Sequence, residues 1–257
     1  MSTRTQRTAI VTGAGSTHGI GFATARLLGA AGNDVVIAST TDRIFDRVAE
    51  LRRAGARVEG VVSDLTDPSG VDAVVTRATE AFGGVDILVN NAGMTAVSDS
   101  YLVGETGDRA LDRWRASLDR NLTTAYLMTR RVTDIMQSAG YGRIVNVSSV
   151  SGPVAAYGGD LAYHSAKAGM LGLTRATAID TAAFGITVNA VAPGWIDTAS
   201  ASDRERRMGA ATPAGRSGTA DEVAYVIAML AGEGASYISG QLITIDGANS
   251  ISEERGR

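Results

Sequence analysis

Cysteine is absent from this chain of 257 residues, which removes disulfides, thiol nucleophiles and cysteine-ligated metals together. Histidine occurs only at His18 and His164, too few for a histidine-rich zinc site. No stretch reaches the roughly 18 apolar residues of a membrane span. The opening MSTRTQRTAIVTG lacks a long apolar core followed by a cleavage pattern. A net charge of -3 supplies no basic field for nucleic acid or an anionic membrane. These absences lead to the expectation of a cytoplasmic protein with no nucleic acid, membrane or metal partner. There is also no internal repeat, low-complexity tract or Pro-rich linker, so residues 1–257 are expected to form one domain, with a polar tail over 249–257 held only if a partner subunit covers it.

What is present is a rhythm. Short apolar runs rich in β-branched residues recur at 8–12, 34–40, 57–63, 85–90, 142–148, 186–192 and 242–245, and predict seven strands. Longer Ala/Leu/Arg segments with helical spacing lie between them, the first over 20–31. Four joints repeat one order, helix end, glycine, strand: Ala31-Gly32-Asn33, Ala54-Gly55-Ala56, Phe82-Gly83-Gly84 and Phe184-Gly185-Ile186. Strands apolar on both faces and alternating with helices predict an α/β fold with a parallel sheet covered on both sides.

The stretch from Ser148 to Lys167 carries the chemistry. Tyr163 and Lys167 are four residues apart at the start of an Ala-rich helical pattern, so they share one helix face with Cβ atoms roughly 6 Å apart. A tyrosine with its ordinary pKa of about 10 holds its proton too tightly for exchange near neutrality. An ammonium beside it, with a cationic nicotinamide ring nearby, is expected to stabilise the phenolate and lower that value. Tyr163 then exchanges a proton with a carbonyl or alcohol oxygen, and Ser149 hydrogen-bonds the same oxygen. Alone, a Tyr/Lys pair at this spacing is as well explained by an amphipathic helix with a solvated lysine.

It is not alone. Thr12-Gly13, Gly19-Ile20-Gly21, Asn90-Asn91-Ala92-Gly93, Asn121, Ser149, Tyr163, Lys167 and Pro193-Gly194 follow in an order that resembles the short-chain dehydrogenase/reductase family, from about Thr8 to Gly247. The resemblance implies a Rossmann-type doubly wound sheet and a catalytic set of Asn121, Ser149, Tyr163 and Lys167, with Asn121 binding a water that links Lys167 to solvent. Ser149 is preferred to Ser148 and Ser151 because the run Ser148-Ser149-Val150-Ser151-Gly152 matches the family pattern there. Adjacent strand residues also point to opposite faces.

The resemblance implies a nicotinamide nucleotide as well. Gly13, Gly19, Ile20 and Gly21 form its pyrophosphate turn, although five residues separate Gly13 from Gly19 where the family has three, which leaves the path of 15–18 open. Asp64 and Leu65 match the adenine contact. Asn91, Ala92 and Gly93 match the edge along which the cofactor passes, although a turn role suffices for Asn91. Pro193, Gly194, Ile196 and Thr198 match the nicotinamide segment, and Tyr163 and Lys167 touch the cofactor too. At the end of the second strand Ser39 stands where an acidic residue would select NAD; with Thr40, Thr41, Arg43 and His18 nearby, NADP(H) is expected over NAD(H).

Substrate contacts are expected from 94–109, 150–157 and a lid over 195–215, with Tyr157 and Trp195 as candidate walls. The expected partner is a small carbonyl or alcohol substrate, with 3-oxoacyl thioesters and small ketones both open. NAD-dependent oxidation of a sugar or secondary alcohol, and a catalytically silent nucleotide sensor, are the competing readings. Helical segments 108–138 and 161–183 correspond to the family's usual interface, so a homodimer or homotetramer is expected.

Overall fold

The structure is a computed structural model and describes residues 6–94 and 108–253. The greater part of the expected substrate insertion, 95–107, and the end of the polar tail, 254–257, lie outside the described residues. In the first half β1 (Thr8–Thr12), α1 (Ile20–Ala30), β2 (Asp34–Ser39), α2 (Arg43–Arg53), β3 (Val58–Val62), α3 (Pro68–Phe82) and β4 (Ile87–Asn90) alternate. Next come α4 (Asp108–Leu118), a π-helical turn over Asp119–Thr123, α5 (Thr124–Ala139), β5 (Gly142–Val147), α6 (Leu161–Thr181) and β6 (Ile186–Pro193). The chain finishes with β7 (Ile196–Asp197), α7 (Asp203–Ala210), β8 (Gly218–Thr219), α8 (Ala220–Ala231) and β9 (Leu242–Ile245). Among the described residues no helix is long and apolar enough to cross a membrane.

The seven expected strands pair in the order β3-β2-β1-β4-β5-β6-β9, all parallel, while β7 and β8 make a small separate pair. The order reverses between β1 and β4. In a sheet of this kind that switch point opens a crevice at the carboxyl ends of the strands, and it is there that ligands bind.

Alternation along each strand builds two cores. Val11, Ile37, Val89, Val145 and Val191 face Phe22 and Leu28 of α1, Val48 of α2, and Ile227 and Leu230 of α8. Ile10, Val36, Leu88, Ile144 and Val188 face Val74 and Val75 of α3, and Met128, Val132 and Met136 of α5. The four junction glycines adopt left-handed φ values of 73° to 88°, as their place between helix and strand requires.

At the rim opposite the crevice the guanidinium carbons of Arg7 and Arg143 lie 3.6 Å and 4.4 Å from the ring centre of Tyr141. Arg7 also pairs with Asp86 at 3.2 Å and Glu233 at 3.0 Å, and Asp86 accepts the Thr8 N–H. This cluster ties the residue before β1 to the entries of β4 and β5 and to the turn that follows α8.

The expected continuous helix over 108–138 is interrupted. Five residues around Asn121 widen into the π turn, in which the Thr124 N–H reaches back to the Asp119 carbonyl. Leu88 is fully buried at the centre of the sheet. Leu88→Ala is expected to lower stability by about 2–5 kcal/mol, measured as a shift in the midpoint of reversible urea unfolding.

Candidate active site

The carboxyl end of β5 sends its two serines different ways. Ser148 Oγ donates to the Lys167 carbonyl at 2.9 Å, whereas Ser149 Oγ accepts the Ser151 N–H at 3.0 Å and lines the same cavity as Tyr163, close enough to lower its pKa. Asp160 caps α6 by accepting the Tyr163 N–H, which places Tyr163 in the first turn and Lys167 one turn on. Lys167 Nζ is buried and donates to the Val147 carbonyl at 3.0 Å, 5.7 Å from the Tyr163 ring centre. α6 and β5 are thus tied by bonds in both directions, helix amine to strand carbonyl and strand hydroxyl to helix carbonyl.

Asn121 is fully buried rather than on a helix surface. Its Nδ2 donates to the carbonyls of Met94 and Ser117, at 3.0 Å and 3.1 Å. The Ser117 carbonyl is the one a regular helix would give to the backbone N–H of residue 121. Its Oδ1 has no partner among the described residues. A Cβ placed on Gly93 would stand 2.7 Å from that oxygen and 3.3 Å from Lys167 Nζ, so both polar atoms face one small space beside Gly93. One layer down, Asn90 donates to Asn146 at 2.8 Å and Asn146 to Thr174 at 2.9 Å, joining β4, β5 and α6 by buried hydrogen bonds.

The protein's own groups do not by themselves make Tyr163 acidic. Burial is the largest influence on Tyr163 and raises its pKa; Ser149 pulls it down, while Asp160 and Glu205 push it further up. Lys167 is itself lowered to about 8 by desolvation, and its amine is turned to the Val147 carbonyl.

Ser149, Tyr163 and Lys167 open on a cavity of about 200 Å³ that also meets Ile20, Asn91, Gly93, Pro193, Gly194, Ile196 and Thr198. Met94, Val150, Tyr157 and Trp195 form its apolar walls, with the rings of Tyr157 and Trp195 6.4 Å apart. Ile196 lies in β7, paired with Gly218 of β8. Thr198 Oγ1 is 3.1 Å from Ser200 Oγ. The remaining predicted cofactor residues, Gly13, Gly19, Gly21, Ser39, Arg43, Asp64, Leu65 and Ala92, lie at the carboxyl ends of β1 to β4, outside the cavity wall.

Several of those residues have structural work of their own. Asn91 Nδ2 donates to the carbonyls of Thr12 and Gly13, and a Cβ on Gly21 would come 2.5 Å from it. Close packing of β1, β4 and α1 therefore accounts for Gly21 by itself. Asp64 turns its carboxylate to the N–H and hydroxyl of Thr66, which hold its pKa down, and Leu65 is buried. Ser39 Oγ donates to the Thr41 carbonyl, and Arg43 Nε to Thr41 Oγ1. A nicotinamide nucleotide fits the chain on two observations. Gly19 begins α1 with no side-chain cap, leaving first-turn N–H groups for a phosphate, and the unpaired Asn121 oxygen faces the space beside the buried amine.

Two residues were missed from sequence. Arg47 of α2 donates to Thr17, so the lengthened glycine turn is held from thirty residues away. Glu205 of α7 lines the cavity; the Ser-x-x-Glu run 202–205 marks a helix start in sequence but not the wall it builds.

A family model described as Enoyl-(Acyl carrier protein) reductase matches residues 13–248. The chain belongs to the short-chain dehydrogenase/reductase family. It is an NAD(P)-dependent oxidoreductase of that family. Among its short-chain dehydrogenase/reductase relatives, cis-4-hydroxycyclohexanecarboxylate dehydrogenase of Sinomonas cyclohexanicum is 40% identical over 94% of this chain and 96% of its own. The 3-oxoacyl-(acyl-carrier-protein) reductase FabG of Escherichia coli strain K12 is 36% identical over 93% and 95%. Among solved structures, actinorhodin polyketide ketoreductase with NADPH superposes with a TM-score of 0.87 at 32% identity, covering 98% of this chain and all of that one.

Because the native Lys167 amine deprotonates near pH 8 and an unfolded one near 10.5, the unfolded chain binds more protons across that window. The stability of the wild type relative to Lys167→Met is therefore expected to improve as pH rises from 8 to 10.5, read from urea unfolding of both proteins.

Proposed function

We propose that this short-chain dehydrogenase/reductase uses NADP(H) to reduce a small carbonyl compound, with Tyr163 as proton donor. The observation that carries this is the convergence of Ser149, Tyr163 and the buried Lys167 amine on the wall of one small cavity. Both hydroxyls donate to a substrate carbonyl oxygen, and Ser149 stabilises the negative charge that gathers there. Burial keeps Tyr163 protonated at neutral pH, the state a reductase needs in its acid. Lys167, weakened by desolvation, replenishes the proton, and the Asn121 oxygen and the space beside Gly93 give water a place to reach it.

The nicotinamide nucleotide, when bound, supplies the hydride. Ile20 and the first turn of α1 hold its phosphates, Pro193 to Thr198 its nicotinamide, and Asp64 and Leu65 its adenine. Ser39, Thr41 and Arg43 take its ribose end. NADP(H) is preferred because Ser39 is neutral and Arg43 is exposed beside it. The named NADPH-bound ketoreductase relative supports the same choice. The apolar walls of Met94, Val150, Tyr157 and Trp195 suit the hydrocarbon part of a small ketone. Oxidation of a cyclic secondary alcohol is the second reading, favoured by the 40% identical dehydrogenase. Retention of the whole Asn/Ser/Tyr/Lys set argues against a silent sensor. A homodimer or homotetramer is proposed from the exposed apolar side chains Tyr126, Leu161, Ile179 and Phe184 on and just beyond α5 and α6.

Tyr163→Phe is expected to bind NADPH normally, by fluorescence titration, while ketone-dependent loss of NADPH absorbance falls by about 10²–10⁴-fold. Near-native turnover would remove Tyr163 from this role. Ser39→Asp is expected to move the kcat/KM preference toward NADH by about tenfold, since the new carboxylate accepts from ribose hydroxyls and repels the extra phosphate.

A further inference from the structure

Among the described residues Glu205 supplies the only carboxylate in the wall of the cavity, and Lys167 the only ammonium. The two do not neutralise each other, because Lys167 Nζ is committed to the Val147 carbonyl. Nor does an arginine reach Glu205 among the described residues; its neighbour Arg206 pairs with Asp197 and Asp203. The side chain is also fixed in place. Glu205 and Ser202 form a capping box at the start of α7, with the Ser202 N–H at 2.7 Å and its hydroxyl at 2.8 Å, both donating to Oε2. Oε1 accepts no bond among the described residues. The carboxylate is therefore held through Oε2 alone, on a residue that lines the cavity together with Met94, Val150, Tyr157, Tyr163 and Trp195.

Resting on the carbonyl-reductase reading, we propose that Glu205 determines specificity: it accepts a hydrogen bond from a hydroxyl or ammonium remote from the reacting carbonyl, and it excludes substrates that carry a carboxylate there. A hydrogen bond to a charged acceptor is worth more than one between neutral groups, and two carboxylates sharing one small cavity repel each other. The charge of Glu205 also acts on both phenols of the site, raising Tyr157 and Tyr163. The exposed Arg204 of the same helix acts on Tyr157 in the opposite sense. Capping α7 explains why a glutamate stands at this position in the chain. It leaves Oε1 without a hydrogen-bond partner among the described residues, and the two roles can be separated, because glutamine serves a capping box as well as glutamate does.

The test uses the full chain with oxidised nicotinamide nucleotide present, so that ketones bind without reacting. Calorimetric affinities are measured for 4-hydroxy-4-methylcyclohexanone, whose tertiary alcohol cannot be oxidised to a ketone, and for cyclohexanone and 4-oxocyclohexanecarboxylate. The wild type is expected to bind the hydroxylated ketone about tenfold or more tightly than the carboxylate. Glu205→Gln is expected to narrow that ratio by about tenfold with an unchanged melting temperature, and to shift the pH profile of alcohol oxidation to lower pH because Tyr163 loses a neighbouring negative charge. Asp203→Asn removes the same charge from an exposed position in the same helical turn and is expected to leave the ratio as in the wild type. Failure of the hydroxylated ketone to bind the wild type, or a ratio unmoved by Glu205→Gln, or one moved equally by Asp203→Asn, overturns the proposal. Selective binding without turnover of any ketone or alcohol would instead sink the reductase reading and leave the role of Glu205 standing.

Discussion

The hydrogen bond from the buried Lys167 amine to the Val147 carbonyl sets the geometry of everything around it. A charged amine taken out of water must be given partners or lose its proton. Here it finds one backbone carbonyl and is weakened to about 8. Because the carbonyl belongs to the last residue of β5 and the amine to the second turn of α6, the bond fixes how the helix lies over the strand. Ser148 returns a bond from strand to helix. Between these two ties, Ser149 and Tyr163 have little choice but to meet. The proton affinity of the phenol then follows from depth and neighbours, with burial outweighing the opposing influence of Ser149.

Below this layer the asparagine chain of β4 and β5 carries the same constraint into the sheet. Asn90, Asn146 and Thr174 sit where the apolar cores would otherwise be continuous, and their hydrogen bonds are directional where hydrophobic contact is not. Thr129 of α5 joins through Asn90 at 3.0 Å, and α5 continues directly from the π turn that holds Asn121. Four elements that each contribute to the site therefore share one polar layer with low tolerance for sliding.

Much of this was legible in the chain itself. The β-branched runs and junction glycines gave seven strands and their parallel arrangement, because strand burial on both faces leaves few other solutions. The separation of Ser148 from Ser149 followed from the alternation of the extended chain. Other features had no local signature. The π turn breaks a segment whose apolar spacing is helical throughout, and Asn121 is drawn inward there by carbonyls of Met94 and Ser117 rather than by its own periodicity. The acidifying effect expected of Lys167 depended on where its amine points, which spacing along a helix does not decide. Asn91 and Gly21 looked like cofactor residues, yet packing between β1, β4 and α1 is reason enough for them. Arg47 and Glu205 act across distances in sequence that only the folded chain closes.

The arginine–tyrosine cluster of Arg7, Tyr141 and Arg143 lies at the opposite end of the strands from every group discussed as chemical. It clamps strand entries with stacked cations and carboxylates, and nothing in it approaches the cavity. Anchorage and chemistry are thereby assigned to separate rims of one sheet. Loops on the working rim can be lengthened or rewritten, as the glycine turn already has been, while the far rim keeps the strands in register; divergence toward a new substrate need not begin by loosening the scaffold.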